Sequence, residues 1–133
     1  MNLDHDGYVK QLALTIDRDP GYGLLKYTIP SSDVKTDLIG RFYPDVTTLR
    51  KEGKARLLIE VIAPDSFEDD EEIPRLEALS KYCAEKKWEF YIAVTESAVK
   101  NLLETKIAGR EIRPKSVWLV NESPFTPRLE AVT

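Results

Sequence analysis

The stretch RFYPDVTTLRKEGKARLLIEVIAP, residues 41 to 64, constrains the fold more than any other part of this chain. It holds two apolar, β-branched runs joined by the charged segment KEGK, the pattern of a β-hairpin. Each run nonetheless carries one carboxylate, Asp45 and Glu60. With the turn centred between Glu52 and Gly53, the two acids stand opposite one another on one sheet face, Cβ atoms about 5 Å apart. Like charges so placed repel, and desolvation adds to the cost. A shared divalent cation removes the conflict, because Mg2+ is held well by one or two carboxylates with water and substrate phosphate completing its shell. A turn one residue shorter or longer leaves the acids diagonal or on opposite faces. A strand-edge carboxylate in solvent is the other way to house either of them.

The rest of the chain supplies a sheet and its covering helices. YVKQLALTI, residues 8 to 16, places Val9, Leu12, Ala13 and Ile16 at helical spacing. DRDPGYG breaks that helix, LLKYTI is a first strand, and PSSDVKTDLIG is a polar connection in which Asp33 and Asp37 are possible extra ligands. After the hairpin, the acidic DSFEDDEEIP leads into RLEALSKYCAEKK, where Leu76, Leu79 and Cys83 share a face. The acidic run could bind a cation, but acids at a helix start match the helix dipole and are expected in solvent. WEFYIAV reads as a central strand. TESAVKNLLETKIAG is a helix with Thr95 as N-cap, Val99, Leu102, Leu103 and Ile107 on one face, and Gly109 to end it. SVWLV is a last strand. The expected order is αβββαβαβ, an α/β fold with a mixed central sheet flanked by helices, in one domain over residues 1–121 with an irregular tail at 122–133.

Composition bounds the function. A chain of 133 residues suits one domain. No apolar run approaches the roughly 20 residues that span a bilayer, and the polar MNLDHDGYVK does not read as a secretory signal. A lone Cys83 allows no internal disulfide, which suits a reducing cytoplasm. A lone His5 argues against a zinc site or a histidine-based triad. The net charge of -4 argues against non-specific coating of nucleic acid, while leaving room for a local basic patch.

PD at 44–45, a hairpin, an acid within LLIEVIAP, a helix ending near Tyr82 and a further core strand together resemble the PD-(D/E)xK nuclease superfamily. That group includes type II restriction endonucleases, Holliday junction resolvases and the nuclease domains of type I restriction motor subunits. PDV…LLIEV…Y is similar in particular to restriction-endonuclease-like families of bacterial proteins. The resemblance spans roughly residues 41–94. It implies a Mg2+-dependent (or Mn2+-dependent) nuclease hydrolysing DNA phosphodiester bonds, with Asp45 and Glu60 as metal ligands and the Ile62 carbonyl completing the shell. A domain this small would grip a duplex with help, so a homodimer is an expectation too.

One departure weighs against activity. The superfamily's lysine falls two residues after the second acid, where this chain has Ile62, which carries no charge and moves no proton. Some similar families bring the cation from the following helix, where Arg75 and Lys81 are the candidates, and Arg56 shares the Glu60 face of its strand. The glutamine that some relatives place four residues before the helix tyrosine is here Ala78. Tyr82, Cys83, Trp88 and Trp118 read as packing residues. The alternative implied by Ile62 is a catalytically inactive nuclease-like domain that serves as a nucleic-acid- or protein-binding or regulatory module.

Overall fold

The first helix, α1 (His5–Asp17), buries the four residues that its spacing marks, Val9, Leu12, Ala13 and Ile16. It begins three residues earlier than the apolar pattern shows, because the Asp4 side chain caps it by accepting the Gly7 N–H at 2.8 Å. The structure, a computed structural model, describes residues 4–30 and 35–120. Asp33 and the tail at 122–133 lie outside the described residues.

Five strands form one sheet among the described residues, in the order β1 (Tyr22–Tyr27), β2 (Val46–Arg50), β3 (Ala55–Ile62), β4 (Glu89–Val94) and β5 (Ser116–Leu119). The first three are antiparallel neighbours, and β4 and β5 continue parallel to β3. The sheet is therefore mixed, and the α/β class expected from the element order holds. Between β2 and β3 the chain turns through Glu52–Lys54, with Gly53 at φ 78, a left-handed conformation that glycine adopts without strain. The resulting register pairs Val46 with Ile59 and Arg50 with Ala55, which is the pairing the centred turn requires. β1 lies two residues earlier than the LLKYTI reading, and a bulge interrupts its pairing between Gly23 and Lys26.

Strand alternation then sorts β3 onto two cores. Leu57, Ile59 and Val61 join Val9, Leu12 and Ile16 under α1. Leu58 and Ile62 face the other way, toward Leu76, Leu79 and Cys83 of α2 (Glu72–Lys86) and Val99 and Leu103 of α3 (Ser97–Ile107). Among the described residues, one helix thus covers one face and two helices cover the other. Two details of α3 differ from expectation. Glu96, not Thr95, occupies its N-cap position, and Thr95 Oγ1 is buried with no hydrogen-bond partner among the described residues. Leu102 is left exposed, while Val99 and Leu103 are buried. Gly109, at φ 74, follows the helix end as anticipated. Among the described residues no helix is long and apolar enough to cross a membrane.

Candidate active site

Asp45 and Glu60 meet where β2 and β3 stop exchanging backbone hydrogen bonds. Past the Val46–Ile59 pair, the side chains take over the ladder. The Asp45 N–H donates to Glu60 Oε2 at 2.6 Å, and the Val61 N–H donates to Asp45 Oδ2 at 2.8 Å. Each acid satisfies a buried backbone donor beside the other, so the two are locked together by the fold itself. Both are buried, Glu60 completely.

Alternation places Glu60 on the face that α2 covers, and α2 delivers the countercharge. Arg75 lies in its first turn, four residues before the buried Leu79, and so flanks the apolar stripe on the sheet side. Its Nε donates to Glu60 Oε1 at 2.6 Å, and its Nη2 reaches Asp45 Oδ1 at 3.0 Å and Glu60 Oε2 at 3.3 Å. The same Nη2 donates to the Tyr43 carbonyl at 2.7 Å, tying the guanidinium to the chain just before Asp45. A planar fork of N–H donors suits this task better than an ammonium would.

The opposite layer contributes a second cation. His5 opens α1, with Nε2 3.1 Å from Asp45 Oδ2 and Nδ1 3.1 Å from Asp6 Oδ1. Burial alone would lower its pKa, but the hydrogen bond and charge of Asp45, with Asp6 and Glu60 behind them, raise it to about 10. Both ring nitrogens then donate. Burial also lifts Glu60 above the usual carboxylate range, with Asp45 adding to the effect and Arg75 opposing it. Arg75 is raised, since Glu60 and Asp45 outweigh the burial that would lower it. Glu72 is raised to about 7, chiefly by burial, with Arg75 opposing and Asp45 reinforcing.

Because His5 is the sole histidine, its imidazole gives an unambiguous NMR titration. The ring is expected to stay protonated well above its ordinary 6.5 and to release its proton near 10. Since the folded pKa lies above the unfolded one, the stability His5 contributes is fully present below about 6.5 and is lost as pH rises through about 10. A ring that titrates near 6.5 would show that the contact to Asp45 does not form in solution.

The acids' charge conflict is thus relieved inside the chain, by Arg75 and protonated His5, without calling on a metal. The donor chemistry still fits a hard divalent ion, since two carboxylates converge on one cationic group. Such an ion would compete with the guanidinium for the same oxygens. Among the described residues no group of three or more His, Cys, Asp or Glu side chains is arranged to hold a metal.

The other candidates fall elsewhere. Lys81 is exposed and lines a separate groove with Ser80 and Cys83. Arg56 stacks on Trp88, 4.8 Å from the ring centroid, and Trp88 meets Tyr82 edge to face at 5.3 Å. The Ile62 carbonyl accepts the Thr95 N–H at 3.1 Å, on the β4 side of the strand, and its side chain is buried among leucines. Cys83 is buried, and burial, with the charge of Glu60, pushes its thiol up to about 12. Trp118 stacks on Tyr91 at 4.4 Å. Asp37 pairs with Lys26 at 3.2 Å on the surface. In the acidic run, Asp65, Glu68, Asp69, Asp70 and Glu71 are exposed, as helix-start acids should be.

Asp45 and Arg75 border an open groove of about 580 Å³. Comparison with known proteins adds no relative: no family model, no curated protein and no solved structure matches the chain.

Proposed function

We propose that this chain is a restriction-endonuclease-like domain that hydrolyses DNA phosphodiester bonds with Mg2+ or Mn2+. The observation that carries the reading is the convergence of Asp45, Glu60 and Arg75, with Asp45 and Arg75 at the wall of one open groove and Glu60 buried behind them. It is supported by the hairpin register and by a helix that brings an arginine to the place where position 62 offers no charge. Asp45 and Glu60 would hold the ion, which when bound supplies an activated water and a clamp on the scissile phosphate. Arg75 would release part of its hold on the carboxylates and turn its free donors toward phosphoryl oxygens, where a bidentate cation offsets gathering negative charge. His5 orients Asp45 from the far side. A homodimer belongs to the same proposal.

The hydrogen bonding of the pair favours a second reading. All four of its carboxylate oxygens already accept a hydrogen bond. On that footing the acids are a structural clasp, and the domain is an inactive relative that binds nucleic acid or protein.

Thermal melting with Mn2+ or Mg2+, on wild type and Asp45→Asn, separates the two. Ion binding to the native state alone raises wild-type stability by about 2.7 kcal/mol at a hundredfold excess over the dissociation constant, and the variant should lose that response. Plasmid, single-stranded and branched DNA should then be cut in an ion-dependent way, and Glu60→Gln should abolish cutting. Neither an ion response nor cleavage would leave the binding module as the function.

A further inference from the structure

We infer that Tyr43 is a stacking platform for an unpaired base, so that the strand presented to Asp45 and Arg75 is single-stranded at that point. The inference rests on the nuclease reading and names its substrate class. Residues 39 to 43 form a tight reversal in which Ile39 and Phe42 exchange backbone hydrogen bonds of 2.8 and 3.0 Å around Gly40, at φ 61. Beyond it, the Tyr43 carbonyl is held by Arg75 at 2.7 Å, and the carbonyl of buried Pro44 accepts from Thr36 Oγ1 at 2.7 Å. The backbone of Tyr43 is therefore pinned on both sides, while the residue stays 44% exposed and lines the groove two residues from Asp45. A large ring left in solvent on so fixed a frame loses little freedom when a base stacks on it.

The groove wall also carries charge suited to a backbone. Lys35 and Arg41 line it beside Arg75. Arg41 is steadied over the Phe42 ring at 4.7 Å and by a two-point contact with Glu71. Cations that track phosphates, with an aromatic ring between them, are the means by which proteins hold single strands. Stacking needs an exposed base face, which duplex DNA does not offer. The groove volume falls within the range of sites for small ligands, enough for a nucleotide or two.

Fluorescence anisotropy with a labelled oligothymidylate, and with the same strand paired to its complement, tests this in EDTA, where binding is read without cleavage. The single strand should bind wild type more tightly than the duplex does. Tyr43→Ala should weaken single-strand binding about tenfold or more, while Tyr43→Trp and Tyr43→Phe retain it. Unchanged melting of Tyr43→Ala confirms that its fold is intact. Absence of single-strand binding, or a loss in Tyr43→Ala that is equal for duplex and single strand, overturns the inference. Assays repeated with Mn2+ keep the two proposals apart. Tyr43-dependent binding without cleavage refutes hydrolysis and supports the platform, whereas cleavage indifferent to Tyr43→Ala does the reverse.

Discussion

Arg75→Met is expected to destabilise the protein by about 3–5 kcal/mol, the cost of leaving buried charge without its partner. Removing the guanidinium strips three contacts from a fully buried Glu60 and an almost fully buried Asp45 that face each other. His5 alone then balances the pair, and of the two acids it touches Asp45 and not Glu60. Urea unfolding near neutrality measures the loss. The loss should shrink in mild acid. Without Arg75, Glu60 rises further above its unfolded pKa, so the folded variant binds the extra proton and recovers stability as pH falls. Mn2+ should also restore part of it, since the vacated oxygens suit a divalent ion. A loss below about 1 kcal/mol would place Arg75 among ordinary exposed ion pairs.

Ile62→Lys is expected to cost about 4 kcal/mol or more near neutrality and to bring no gain in the proposed DNA cleavage. Position 62, where the proposed nuclease reading would look for a lysine, is part of the core under α2 and α3, with Ile62 fully buried beside Leu76 and Leu79. A lysine in such a place is driven neutral, its pKa lowered by some 3–5 units at about 1.36 kcal/mol each. The folded state then binds fewer protons than the unfolded one. The variant should therefore gain stability as pH rises toward about 10.4, the opposite sign to the His5 effect. Urea midpoints across that range check it. The competing result is a variant near wild type in stability that cleaves faster. It would mean that the introduced ammonium reaches Glu60 from the same strand face and that Arg75 is not the cation the site uses.

Much of this arrangement follows from short-range rules. Alternation along LLIEVI and the length of KEGK suffice to set Asp45 against Glu60, because one register satisfies both the turn and the two cores. Helical spacing likewise gives the buried faces of α1 and α2 correctly. Helix geometry could also have separated Arg75 from Lys81. Six residues at about 100° each leave them about 120° apart, so both cannot face one pair of acids. Arg56 shares the Glu60 face, but four residues along a strand carry it about 13 Å away, to Trp88.

What local pattern could not supply is His5. Its role depends on α1 starting at a side-chain cap, DHDG, that carries no apolar periodicity, and on which end of the sheet that helix start meets. The only signal was Asp4, a good N-cap residue three positions before Gly7. The choice of cation was also out of reach. Spacing poses the conflict between Asp45 and Glu60, but only the tertiary approach of α2 decides that a guanidinium fills the place between them.

A double-mutant cycle of Arg75→Met and Glu60→Gln, read by urea unfolding, is the most direct check on that placement. A guanidinium hydrogen-bonded to a buried carboxylate should give a coupling of about 1.5 kcal/mol or more. Two substitutions that add to within about 0.5 kcal/mol would mean that the two side chains do not meet in solution, and the acid pair would be left without the cation on which its burial depends.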